Sequence, residues 1–345
     1  MIIFLFCYRI VFRIFYNKEV FMINTKVLAT ITAISYSVIF GLSFLFTKKA
    51  LIFATPFQLI AFRFLLAFIF MSILIFSKIL KINYENKDIK GLFFLVLMQP
   101  IGYFIFETYG LKLSTSSQAG ILTALIPIIS SIVAVYILKE IPSKKQWFFI
   151  ILSVIGVIFI VIMDKNSDSG NSLLGTFLLL GAIICGSFYH VLSRKVSSTF
   201  TPIETTYFMM GVGAVTFNFI SVITHIKDND FSNYFHLLYN KDFLIPLLFL
   251  GILSSVIAFL FVNFSLCYLE ASKCAVFSNL STVISILTGV LFLNEKIYWY
   301  HIIGSVTILI GVYFTNYLSS KSDKNLCCKE ANNLNTPKEE KVIPK

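Results

Sequence analysis

Polar and hydrophobic positions fall in blocks along this chain. Apolar runs near the length that crosses ~30 Å of hydrocarbon at 1.5 Å per residue are separated by short stretches rich in Lys, Asn, Ser and Asp. The runs predict helices at Leu28–Phe46, Pro56–Ser77, Gly91–Leu111, Ser117–Leu138, Gln146–Met163, Leu173–Ser193, Ile203–Thr224, Leu244–Tyr268, Ser272–Leu293 and Tyr298–Leu318. A backbone in lipid must satisfy its own hydrogen bonds, so the abundance of Phe and Ile does not argue for strands here. The expected fold class is an all-α integral membrane protein with ten transmembrane helices.

The pattern repeats. Lys48, Lys49, Thr55 and Pro56 recur 146 positions later as Arg194, Lys195, Thr201 and Pro202. Ile129-Ser130, Leu138, Glu140, Ile155-Gly156-Val157 and Phe159 recur 155 positions later as Ile284-Ser285, Leu293, Glu295, Ile310-Gly311-Val312 and Phe314. The nine-residue growth in offset is absorbed by the polar loop from His225 to Asp242. Each half carries an odd number of spans, so the second enters the membrane upside down, an arrangement recurrent in secondary transporters. The expected organisation is an N-terminal cytoplasmic or interfacial segment (1–26), a first five-helix repeat (27–163), a linker (164–172), a second repeat (173–318) and a disordered cytoplasmic tail (319–345).

Composition agrees with membrane burial: 57% of the residues are hydrophobic and 13% charged, and the mean hydropathy is +0.86. These values exclude an ordinary soluble protein. The net charge of +11 does not point to nucleic acid, because the basic residues sit in loops and tails. With both termini in the cytoplasm, 20 of the 28 Lys and Arg lie on the cytoplasmic face, 7 lie outside and Arg63 lies within a span. The bias predicts a multi-pass cell-membrane protein with both ends inside. Six cysteines, without a CxxC pair, indicate neither disulfides nor a zinc site. No metal or other cofactor is expected; vicinal Cys327-Cys328 is a poor chelate without further ligands. Residues 1–21 read either as an interfacial helix or as sequence upstream of a start at Met22, and Met-Ile-Asn-Thr-Lys directly before the first span favours the latter.

Ionisable groups inside a bilayer are costly and mark a pathway, a partner or a relay. Arg63 lies about seven residues, or ~10 Å, inside the external end of the second helix, and Glu107 lies at similar depth on the third. Their placement suits either a direct pair or a shared substrate site, with a structural ion pair or a snorkelling arginine as the alternative. Their repeat counterparts are Met209 and Val262, so both charges are missing together in the second half. Gln99, Tyr103 and Glu107, at four-residue spacing, predict one polar stripe of the third helix, which reads as a binding wall or as interhelical glue. His190, Asn263 and Asn279 are embedded in the sixth, eighth and ninth helices and are candidates to line a cavity. His190 as a proton carrier lacks a carboxylate at relay spacing on its own helix. Pro127 removes a backbone bond in mid-span and predicts a bend or gate; its counterpart is Thr282. Glu204 reads as a cap at a positive helix end, and Glu140 and Glu295 as structural anchors.

Several of these stretches resemble a known family. Phe62-Arg63-Phe64-Leu65-Leu66-Ala67, Ala124-Leu125-Ile126-Pro127, the Leu-x-Glu ends at Glu140 and Glu295, and the helices bearing Gly156 and Gly311 are similar to EamA-type members of the drug/metabolite transporter superfamily. The resemblance spans about residues 27–318. It implies ten helices in an inverted repeat, a central cavity opening alternately to each side, and movement of a small-molecule substrate such as an amino acid without ATP. Thr282 departs from the family pattern, where proline is usual, which argues against symmetrical gating. The function expected is secondary transport, in the export direction, with Glu107 as a candidate for proton coupling. A channel or a non-transporting sensor is the alternative. An intramembrane enzyme is disfavoured, since His190, His225, His236 and His301 are scattered and neither an HExxH nor a nucleotide-cradling motif occurs.

Overall fold

A computed structural model describes residues 25–139, 143–164, 173–227, 234–294, 298–300, 302–307, 310–311 and 313–314. Among the described residues there is no strand. Nine long helices run in chain order among the described residues: α1 Thr25–Ala50, α2 Pro56–Phe76, α3 Lys90–Lys112, α4 Ser116–Ile137, α5 Lys144–Asp164, α6 Leu173–Val196, α7 Pro202–Lys227, α8 Lys241–Tyr268 and α9 Ala271–Leu293. All but α5 are singled out by length and hydropathy as able to cross a membrane; α5 is itself 21 residues long. A tenth segment is seen in part: residues 302–307 are helical, and Phe314 stacks on Phe149 of α5 at 4.9 Å between ring centroids. The first nine expected helices agree with the observed ones to within a few residues, and the tenth, expected at Tyr298–Leu318, is described only in part. The readings made for residues 1–21, the linker, Glu140, Glu295, His301 and the tail lie outside the described residues.

Local chemistry explains where the helices begin. Thr55 holds an extended backbone, its hydroxyl accepts from the Gln58 amide at 3.3 Å, and Pro56 fills the first helical position. Thr201, Pro202 and Glu204 repeat the device at the start of α7, with the Glu204 amide donating to Thr201 Oγ1 at 3.3 Å. Thr115 caps α4 in the same way. At the other end, α9 stops at Asn294, whose φ of 55° is the left-handed turn that asparagine tolerates.

Packing reproduces the repeat. The first helix of each half crosses to the other half: α1 lies against α8 and α9, while α6 lies against their counterparts α3 and α4. Helices α2 and α7 pair with each other, as do α4 and α9. Small residues allow the closest approaches, as expected where helices associate by contact rather than by exclusion of water. A Cβ added at Gly120 of α4 would lie 2.5 Å from the Ser285 side chain of α9. The intertwined halves bury an aromatic centre in which Phe64 meets Phe104 and Phe217 edge-on or tilted, and Phe104 meets Phe259.

Candidate functional site

Two helices are irregular at corresponding places. In α3, residues Leu97–Gly102 form wide π-type turns around an extended Gln99 (φ −149°, ψ 120°) and Pro100, which has no N–H to give. In α8, Phe249–Ile257 forms a longer π-type stretch. The repeat offset carries Gln99 onto Ser254, so the irregularities are equivalent. Interrupted helices at matched positions of two inverted halves mark the place where such folds build a binding site. Hydropathy alone did not predict either interruption. The stripe expected along α3 is corrected accordingly: Gln99 is off the helical path, so Gln99, Tyr103 and Glu107 do not share one continuous helical face.

Gln99, Tyr103 and Glu107 nevertheless meet at one cavity, joined there by Arg63 of α2, His190 of α6 and residues of α1, α4, α8 and α9. About 50 Å³ of it is open to the centres of water-sized molecules, room for a few waters at the ~10–15 Å³ each requires. Rings of Phe40, Phe44, Tyr103, Phe104, Tyr189 and Phe259 form much of the wall, and Ser43, Thr123, Ser278 and Ser281 add hydroxyls.

Arg63 is 2% exposed and is held by the opposite repeat. Its Nε donates to Ser255 Oγ at 2.7 Å and one terminal nitrogen donates to Ser254 Oγ at 2.9 Å. The guanidinium carbon lies 4.4 Å from the centroid of the Phe104 ring, a cation–π contact. Glu107 is 3% exposed, and one of its oxygens accepts from Thr108 Oγ1 at 3.2 Å. Within 4.0 Å, the two charges make no ion pair. The direct Arg63–Glu107 bridge weighed from the sequence is therefore absent: serines on α8 engage the guanidinium, and the carboxylate stands apart on the same wall.

The other expected residues divide. His190 lines the cavity, and its Nδ1 is buried without a hydrogen-bond partner. Asn263 is not at the cavity but ties three helices: Oδ1 accepts from Tyr189 at 2.9 Å and from Ser193 at 2.6 Å, and Nδ2 donates to Thr206 Oγ1 at 2.9 Å. Asn279 is fully buried in α9 with both amide atoms unpartnered, next in sequence to the cavity residue Ser278. Around Pro127, α4 is interrupted at Ala124–Leu125, whose amides reach back only three residues. Its counterpart Thr282 leaves α9 continuous and donates to Gly120 O at 2.6 Å. Sequence reasoning missed Ser254 and Ser255; the repeat alignment, which set Ser254 opposite Gln99, was the one signal available.

Two inverted bundles interrupted around a buried, charge-bearing cavity define a multi-pass membrane protein built as secondary transporters are. Comparison with known proteins makes the class specific. The model of the EamA-like transporter family matches residues 27–162 and again 173–317, and the chain belongs to that family. It is similar to the uncharacterized transporter YcxC of Bacillus subtilis strain 168, with 38% identity over 296 residues, 86% of this chain and 95% of that one. The uncharacterized transporter YyaM of the same organism is 27% identical over 295 residues, covering 82% and 91%. A solved crystal structure superposes with a TM-score of 0.64 at 18% identity over 84% of this chain and 98% of that chain, a likeness of fold. The protein is thus a membrane transporter.

Proposed function

We propose that this transporter works without ATP, exporting across the cell membrane a small metabolite that carries a carboxylate, such as an amino acid, by opening its cavity alternately to each face. One observation carries the reading. Arg63 and Glu107 are opposite charges that line one small buried cavity without bridging each other. A cation that has not been neutralised by the nearby acid remains available to an anionic group, and the acid remains available to an amine or a proton. Serine hydroxyls hold the guanidinium in place. Both termini are assigned to the cytoplasm on the Lys and Arg bias. Glu107 is the group assigned to proton exchange.

The test compares metabolites inside and outside cells with and without the gene, untargeted. Accumulation of one or a few carboxylate-bearing metabolites inside the deletion strain, reversed by the native gene and not by Arg63→Ala, is the expected result. No intracellular accumulation in the deletion strain would overturn export, and restoration by Arg63→Ala would overturn the role of the cation.

A further inference from the structure

Gln58 and Glu204 are repeat counterparts, 146 positions apart, each in the first turn of the second helix of its half. Each grips a loop that belongs to the other half. Glu204 closes a capping arrangement with Thr201, whose amide donates to Oε2 at 2.9 Å, and it also reaches the α2–α3 loop. There Asn83 N donates to Oε1 at 2.9 Å and Lys87 Nζ lies 2.7 Å from Oε2. Tyr84 Oη donates to the Glu204 carbonyl at 2.7 Å; burial pushes this phenol above its usual range, so it stays a donor. Across the molecule, Gln58 Nε2 donates to the carbonyl of Tyr234 in the α7–α8 loop at 3.0 Å. The cap read for Glu204 from the sequence is therefore half of what the side chain does.

These contacts show that α2 and α7 run antiparallel, since the start of each meets the loop that follows the other. Between the ends they touch throughout. Phe68 stacks on Tyr207, Phe64 packs on Phe217, and Asn218 Nδ2 donates to Ala61 O at 3.1 Å. A Cβ at Gly213 would lie 2.6 Å from the Phe64 ring.

We propose that Gln58 and Glu204 are a symmetry-related pair of clasps, one at each membrane face, that lock each repeat's loop to the opposite repeat and make α2 and α7 one mechanical body. The clasps are unequal. Glu204 offers a buried carboxylate to two backbone amides and a lysine, whereas Gln58 makes one neutral bond, and charge-assisted bonds are about twice as strong. The face bearing the α2–α3 loop is the more firmly held.

Amide hydrogen exchange on the full chain in detergent or nanodiscs tests this without any substrate. Glu204→Ala should speed exchange in residues 78–90 on the order of tenfold, the scale for losing hydrogen bonds to a charged group, and leave residues 234–240 unchanged. Gln58→Ala should do the reverse, by a smaller factor. Glu204→Gln, which keeps one acceptor oxygen, should fall between Glu204→Ala and the native chain and guards against misfolding of the alanine variant. Unchanged exchange at 78–90 in both Glu204 variants would overturn the proposal. So would acceleration spread evenly over both loops and the helices, because that pattern is general loosening rather than release of one clasp.

Discussion

Arg63 Nε donates to Ser255 Oγ at 2.7 Å, so the buried cation of the first repeat is positioned by the irregular helix of the second. Ser254 holds a second nitrogen. Replacing both serines by alanine removes the partners of those buried donors, at a cost of about 1–3 kcal/mol for each group left unsatisfied. The expected outcome is a lower melting temperature in detergent together with lost export of whichever metabolite the cell comparison identifies. Arg63→Lys should lose most of the same export, since a lysine ammonium does not reproduce the guanidinium fork. Full activity of the Ser254→Ala, Ser255→Ala chain would show that the serines do not position Arg63 for transport.

Glu107→Gln keeps the shape of the side chain and removes its charge. If the carboxylate exchanges a proton during the cycle, transport in proteoliposomes should respond to pH in the native chain and become nearly flat with pH in the variant. Equal rates for the two proteins at several pH values would dismiss a proton role and leave Glu107 as a polar wall of the cavity.

Much of the scaffold could be read directly, because hydropathy in a membrane chain reports the lipid boundary and the landmarks shared by the repeats are turns and helix ends. Thr55-Pro56 and Thr201-Pro202 do at the helix starts what their chemistry dictates. The departures from regular helix were less visible. Pro100 and Gly251 are cues common in membrane helices, and nothing in their neighbours distinguishes a wide turn from a straight span. Arg63, Gln99, Tyr103 and Glu107 stood out because charge and amide groups are expensive in lipid, and they do meet at one cavity. Their partners did not stand out: a serine hydroxyl on a helix satisfies itself on a backbone carbonyl at little cost, so Ser254 and Ser255 look ordinary until the fold brings α8 to α2. The second task of Glu204 depends on a loop 117–121 positions away in sequence, which no local pattern contains.

Asn263 and His190 should separate stability from transport. Asn263→Leu removes the acceptor that the hydroxyls of Tyr189 and Ser193 now share, and each buried orphan costs about 1–3 kcal/mol; Thr206, which accepts from the Asn263 amide, keeps its own bond to Pro202 O. A clear fall in melting temperature is expected. His190→Leu breaks no hydrogen bond at Nδ1, so its melting temperature should stay near native while transport changes, because the ring lines the cavity. Thermal unfolding in detergent followed by the export assay checks both; the opposite ranking of the two variants in stability would refute the division.

Gly120→Ala probes the seam between α4 and α9, where the repeats depart from symmetry. The new Cβ would lie 2.5 Å from Ser285 Cβ and Oγ, inside any permitted contact, so one helix has to shift. That shift would also strain two bonds that cross the seam, Thr282 Oγ1 to Gly120 O at 2.6 Å and Ser285 Oγ to Ser116 O at 2.7 Å. Overpacking of a well-filled interior costs about 1–3 kcal/mol, and a melting temperature lowered by several degrees is expected. Thr123 sits at the same seam, 3.3 Å from Thr282, and also lines the cavity, so displacement should reach the site and reduce export as well. Adding Ser285→Gly removes the obstructing side chain. If contact at this seam is the cause, the double variant should recover stability relative to Gly120→Ala alone, apart from the lost Ser285–Ser116 bond. A double variant no more stable than Gly120→Ala would show that the space beside Gly120 is not what holds α4 against α9.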